Sequence, residues 1–202
     1  MIVYIHGAHM TSAAFNYIKT NLPEHELHNV EYSALSDLED TVARIRRELK
    51  LLDKPFKIIS HSLGGVIGLR MLQGGLPVER LLTISSPLGG VDLKTPFMNT
   101  LTLPIVTNFL PDEVSRFLTF TKQIHPDSKT FRDLHSSDFD NNKVFSIITN
   151  MGRVFSGDET DMVVSVKSQK HYPEIAHEEI ECSHTEILVR PETVRIIKRE
   201  LL

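Results

Sequence analysis

The stretch Phe56-Lys57-Ile58-Ile59-Ser60-His61-Ser62-Leu63-Gly64-Gly65 places one serine where its hydroxyl could act as a nucleophile. A short apolar run ends abruptly in small residues, and an amphipathic run with Val66, Ile67, Leu69, Met71 and Leu72 follows at once. A serine on such a strand-to-helix turn is held in a strained backbone conformation. Its hydroxyl is pushed out at the C-terminal edge of a sheet, and the next residue's N–H is aimed at the same spot. The residues two before and two after it must be small, because strand and helix nearly touch there. Gly64 meets that demand, whereas Ser60 stands where the usual pattern has glycine. An incidental serine in an ordinary βα turn would give the same stretch, so the rest of the chain must supply its partners.

An activated serine needs a general base, a carboxylate to orient that base, and N–H donors for an oxyanion. In an open α/β sheet these sit in loops at the C-terminal ends of strands. The order nucleophile, acid, histidine directs the search downstream. Gly157-Asp158-Glu159-Thr160-Asp161-Met162-Val163-Val164-Ser165 follows an apolar strand at 144–149. Asp161 is followed by an apolar turn that can anchor it, while Asp158 and Glu159 read as solvated loop charges, so Asp161 is preferred. His184, in Glu181-Cys182-Ser183-His184-Thr185-Glu186, is the one histidine between the last strand and the last helix. His171 and His177 are read as preceding that strand and are weaker candidates. At the other end, a strand at 2–5 runs into His6-Gly7-Ala8-His9. The N–H of Ala8 can pair with that of Leu63 at the oxyanion. His6 and His61 read as structural hydrogen-bonding residues, His61 as one that holds the turn. His6 with His9, and His25 with His28, each lack a third ligand nearby, so no metal site is expected.

The elements that must position these residues alternate along the chain. Strands are predicted at 2–5, 27–32, 56–59, 80–85, 144–149 and 178–182. Ser36-Asp37-Leu38-Glu39 has the form of a capping box, and behind it Leu38, Val42, Ile45, Leu49 and Leu52 recur at helical spacing. Gly74-Gly75 and Pro77 end the helix after Ser62, and Pro191 opens a C-terminal helix with Val194, Ile197 and Leu201 on one face. Such alternation predicts an α/β fold with a mostly parallel sheet and right-handed crossovers. The alternation breaks between 91 and 142. Residues of about 94–138 are read as an insertion, a lid or cap, rich in apolar side chains. Phe97, Leu101, Phe109, Phe117 and Phe120 are its candidate substrate-binding residues, together with His9. Pro111-Asp112-Glu113 reads as a helix start within it.

Composition narrows the classes. The 202 residues fit one domain, and 41% hydrophobic with 24% charged residues is ordinary for a globular chain. A net charge of −4 gives no electrostatic case for nucleic acid or an anionic membrane surface. No apolar run is long enough to span a bilayer. Cys182 is the single cysteine, which excludes an intramolecular disulfide and suits a reducing compartment. The apolar N-terminus is too short for a signal peptide and has no basic region before it, so a cytoplasmic protein is expected, with non-Sec export open.

Together these pieces resemble the α/β-hydrolase superfamily, and more narrowly its lipase and carboxylesterase members. His6-Gly7 is similar to the family's oxyanion motif, and His61-Ser62-Leu63-Gly64-Gly65 to its nucleophile turn. Ser85-Ser86-Pro87-Leu88-Gly89-Gly90 resembles the T-P-x-x-G segment after the next strand, and Pro126-Asp127-Ser128 with Leu134 the run that follows a lipase lid. Asp161-Met162-Val163-Val164 resembles the acid turn usually written D-G-V-V; His184 with Ile187-Leu188 and Pro191 resembles the histidine loop and closing helix. The chain departs at Ser60 and Met162, where the family has glycine, and it lacks the two N-terminal antiparallel strands of larger members. The resemblance implies a minimal α/β-hydrolase fold of about six strands. It also implies a Ser62–Asp161–His184 triad with oxyanion donors on Ala8 and Leu63, and cleavage of a small-molecule or lipid ester without a cofactor. A thioesterase or amidase on the same fold, or a non-catalytic binding module, are the alternatives.

Overall fold

The structure is a computed structural model and describes residues 1–91, 120–153 and 158–202. Six strands form one sheet: β1 (Ile2–Ile5), β2 (Leu27–Val30), β3 (Phe56–His61), β4 (Val78–Ile84), β5 (Val144–Thr149) and β6 (Ala176–Ile180). Their order is β2-β1-β3-β4-β5-β6, and every neighbouring pair is parallel. β1, β3 and β5 are nearly continuous apolar runs because both sheet faces are covered, which is what parallel strands require.

Successive side chains go to opposite faces. Val3 and Ile5 of β1 join α2 (Leu38–Leu49) and α3 (Leu63–Gln73) in one core, whereas Ile2 and Tyr4 join α1 (Asn16–Asn21) and α6 (Pro191–Leu201) in the other. α2 buries Leu38, Val42, Ile45 and Leu49, and α6 buries Val194, Ile197 and Leu201, the faces their spacing predicts.

Five boundaries differ from the sequence reading, one of them β3, which runs two residues further than 56–59, to His61. The cap of α2 is Asp37, whose carboxylate accepts the Asp40 N–H at 3.0 Å; no capping box forms on Ser36. A carboxylate there also complements the positive end of the helix dipole. Glu39 instead reaches Arg70 on α3, 3.1 Å away. β2 stops at Val30 and β4 spans Val78–Ile84, because Ser85 turns out of the strand at a φ of 51°. β6 lies two residues earlier than expected, at Ala176–Ile180, in register with Phe145–Thr149. His177 therefore sits within β6 and not before it. β2 and β6 are the edges, and their polar, half-exposed sequences carry little of the apolar signal that marks the inner strands.

Of the expected insertion, residues up to 119 lie outside the described residues, and with them Phe97, Leu101, Phe109, Phe117 and the helix start at Pro111. From 120 on, a helical turn at 120–123 leads to α4 (Lys129–Ser136), capped by the Ser128 hydroxyl. Phe120, Ile124, Phe131 and Leu134 are buried against the α2–α3 core, so this part is a packed cover. Among the described residues, no helix is long and apolar enough to cross a membrane.

Candidate active site

β1 and β3 are adjacent, but the chain leaves β1 toward the face of α1 and β3 toward the face of α3. This divergence opens a crevice at the carboxyl ends of the two strands, the usual ligand position in open α/β sheets. Ser62 occupies it.

Ser62 joins β3 to α3 with φ 53° and ψ −125°, a conformation that costs a non-glycine residue roughly 1–3 kcal/mol. Close contacts enforce the turn. A Cβ on Gly64 would lie 2.2 Å from the Ile5 carbonyl oxygen and 2.5 Å from that of His6. A Cβ on Gly65 would lie 2.0 Å from Ser86 Oγ. Ser60 stands where glycine was expected, facing α3 at Gly68; a Cβ on Gly68 would meet Leu81 Cδ1 at 2.8 Å but Ser60 Oγ only at an ordinary 3.6 Å. The buried Ser60 hydroxyl donates to the Leu82 carbonyl at 2.8 Å.

His184 reaches Ser62 from the loop after β6. Its Nε2 lies 2.9 Å from Ser62 Oγ and its Nδ1 lies 2.8 Å from Asp161 Oδ2. Asp161 is fully buried. Its Oδ1 accepts the N–H groups of Val163 and Val164 at 2.9 and 2.7 Å. Met162 makes that turn possible at a φ of 81°, where the related pattern has glycine. Burial alone would raise the Asp161 pKa; hydrogen bonds and charge from His184, the Thr149 hydroxyl and the Val164 N–H outweigh it and hold the carboxyl below its ordinary value. A backbone bond, from the His184 N–H to the Asp161 carbonyl at 3.0 Å, also ties the two loops together. Asp158 is exposed and takes no part.

His61 has a role the sequence reading missed. It is fully buried, and burial pushes its pKa down to about 3, so the ring is neutral. Its Nε2–H donates to the His184 carbonyl at 2.8 Å and its ring packs 4.8 Å from the His184 ring. His61 therefore steadies the histidine loop more than the turn of its own strand. No sequence signal connects it to a residue 123 positions away.

His6 makes the structural bonds expected of it. Its Nδ1–H donates to the Gly7 carbonyl at 2.8 Å, its ring stacks on Tyr32, and the Tyr32 hydroxyl donates to the His6 carbonyl. Because the Gly7–Ala8 peptide is trans, fixing the Gly7 carbonyl also aims the Ala8 N–H the opposite way. Among the described residues, neither that N–H nor the Leu63 N–H has an acceptor. His9 follows at a φ of 57°, exposed, its ring packed near-perpendicular to that of Phe120 with centroids 5.5 Å apart. Two of the candidate substrate-binding residues are thus brought together. His171 is elsewhere, stacked on His135 at 4.0 Å. Among the described residues, no three His, Cys, Asp or Glu side chains form a metal-binding group.

Three residues from separate loops thus form one line of hydrogen bonds ending on a hydroxyl at a strained turn, an arrangement able to pass a proton from Ser62 to an imidazole backed by a buried carboxylate. The chain has the α/β-hydrolase fold, in a minimal six-stranded form. It is similar to the lipase BlEst2 of Bacillus licheniformis in mature form at a TM-score of 0.65 and 18% identity, over 98% of this chain and 90% of that one. A lipase-esterase related protein from Clostridium acetobutylicum superposes at 0.62 with 15% identity, covering 99% and 93% of the two chains. The NocB thioesterase domain, in covalent complex with a fluorophosphonate nocardicin G analogue, superposes at 0.58 with 18% identity, covering 99% and 93%. No protein-family model and no curated protein sequence matches the chain.

Proposed function

We propose that the protein is a serine hydrolase that cleaves carboxylic esters through an acyl-enzyme. The observation that carries this is the single imidazole of His184, within hydrogen-bond distance of both Ser62 Oγ and the buried Asp161 carboxylate. Ser62 Oγ attacks the ester carbonyl while His184 Nε2 takes its proton. Asp161 holds the Nδ1–H tautomer and stabilises the imidazolium. The N–H groups of Leu63 and Ala8 receive the oxyanion. His184 then protonates the leaving alkoxide, and water, deprotonated by the same imidazole, releases the acid and regenerates the serine. No cofactor enters these steps. The proposed organisation is one domain with an insertion at about 94–138, and the proposed setting is a reducing compartment such as the cytoplasm, supported by a lone cysteine that is buried.

A chromogenic ester assay tests this. Wild type should turn over the ester and Ser62→Ala should fall to the uncatalysed rate; equal rates would sink the assignment. Thioester and amide substrates in the same assay address the second reading, which the fold shared with a thioesterase domain supports.

The acyl group should be of medium or long chain. His9 follows Ala8 in the chain and Phe120 packs edge-to-face with its ring, and in this reading the pair supplies an apolar wall for the acyl chain. Each buried CH₂ contributes about 0.8 kcal/mol, so an octanoate ester should exceed a butyrate ester by about 10-fold or more in kcat/KM. Phe120→Ala should narrow that gap. A preference for acetate and butyrate that Phe120→Ala leaves unchanged would refute it.

A further inference from the structure

Two buried residues behind Asp161 have no part in the chemistry above. Beyond Ile84 the β4 chain turns away at Ser85, and its last link to β5 is the Ser85 N–H to the Ile147 carbonyl at 2.9 Å. Backbone groups of alternate residues point to the same side of a strand, so Thr149 also faces the β4 side, where β4 has ended. Its buried N–H and carbonyl need another partner. Gln169, at the end of the short helix α5 (Val166–Gln169) and 2% exposed, supplies both. Its Oε1 accepts the Thr149 N–H and its Nε2 donates to the Thr149 carbonyl, each at 2.9 Å.

The same two side chains converge on one carboxylate oxygen. Thr149 Oγ1 lies 2.5 Å and Gln169 Nε2 3.4 Å from Asp161 Oδ2. Ser85 Oγ is 2.8 Å from the Thr149 hydroxyl. That hydroxyl has one proton, and the ionised carboxylate is the stronger acceptor, so the proton goes to Asp161 and Ser85 donates in turn to Thr149. The backbone N–H groups of Val163 and Val164 pin only Oδ1. The oxygen that meets His184 is held from behind by side chains alone.

We infer that Thr149 and Gln169 are positioning residues for Asp161: Gln169 fixes the Thr149 backbone, and the Thr149 hydroxyl with the Gln169 amide holds Oδ2 in line with His184 Nδ1. This rests on the triad reading. The titratable groups facing Gln169 are Asp161 and, behind it, His184; Lys170 is turned to Glu179 and His171 to His135.

The rate at which a fluorophosphonate labels Ser62 tests this without knowledge of the natural substrate. Thr149→Val keeps the shape and the backbone bonds but loses the donor, and should label about 10- to 100-fold more slowly, the usual cost of a small misalignment. Thr149→Ser, which keeps the hydroxyl, should recover most of that loss. Gln169→Glu replaces the amide N–H with a carboxylate beside Asp161, repelling it until the new carboxyl takes up a proton and can donate again. Its labelling rate relative to wild type should therefore rise as pH falls from about 8 to about 6, which a merely structural role would not produce. Thr149→Val labelling at the wild-type rate overturns the inference. If that variant does not fold, a Gln169→Glu ratio that stays flat with pH overturns it. A wild type that Ser62→Ala matches in labelling overturns the triad reading itself, and the inference with it.

Discussion

Asp161→Asn should lower kcat by about 10⁴-fold, and His184→Ala by about 10⁶-fold, while each variant keeps a wild-type melting profile within a few degrees. The asparagine case follows from which donors face each carboxylate oxygen. Oδ1 receives two backbone N–H groups, so an amide NH₂ cannot sit there without two donors opposing it. The NH₂ must therefore take the Oδ2 position and face His184 Nδ1. The imidazole then accepts at Nδ1 and carries its proton on Nε2, aimed at Ser62, where it can no longer act as a base. The NH₂ also meets the Thr149 hydroxyl, which must turn its proton elsewhere. Steady-state kinetics on the chromogenic ester, with KM measured beside kcat, reads the effect. Asp161→Asn retaining a tenth or more of wild-type kcat would show that a different residue serves as the acid, and Asp158→Asn is the variant to compare.

Gly64→Ala should prevent folding, or lower stability by roughly 4 kcal/mol or more, beyond what most single substitutions do. The added methyl carbon would stand 2.2 Å from the Ile5 carbonyl oxygen and 2.5 Å from that of His6. Both are backbone atoms at the end of a fully buried central strand, so no side-chain rotation relieves the contact. Relief requires α3 to move off β1, and α3 buries Leu63, Val66, Ile67, Leu69, Met71 and Leu72 in the core. Gly75→Ala is the control for helix-end glycines, since nothing lies within 4 Å of its added carbon and only its φ of 73° resists the change. Thermal melts of purified protein measure both. A Gly64→Ala melting temperature close to wild type would mean that the strand-to-helix contact is looser than described.

The inner sheet was legible in the sequence because parallel strands covered on both faces must be apolar throughout, and 2–5 and 144–149 were read to the residue. The edge strands were not. Ala176–Ile180 reads A-H-E-E-I, and its limits are set by register against β5, which leaves little mark on composition. The α2 cap was misplaced by one residue because Ser36 and Asp37 are both good caps, and only the fold decides which one meets the first turn. At the candidate site, strand ends and chain order led to Ser62, Asp161 and His184, which the fold does bring into one hydrogen-bonded line. Their supports were invisible. His61 under His184, Ser86 against Gly65, and Gln169 closing the end of β5 are each contacts between segments separated in the chain. No local pattern encodes them.

The most direct test is to expose wild type and Ser62→Ala to an alkyl fluorophosphonate and locate the adduct by peptide mass spectrometry. One adduct per chain, on the peptide that carries Ser62, with none on Ser62→Ala and slow formation on His184→Ala, is the expected result. An unmodified Ser62 in wild type, or an adduct that persists at the same rate in Ser62→Ala, would contradict the assignment of Ser62 as a nucleophile activated by His184.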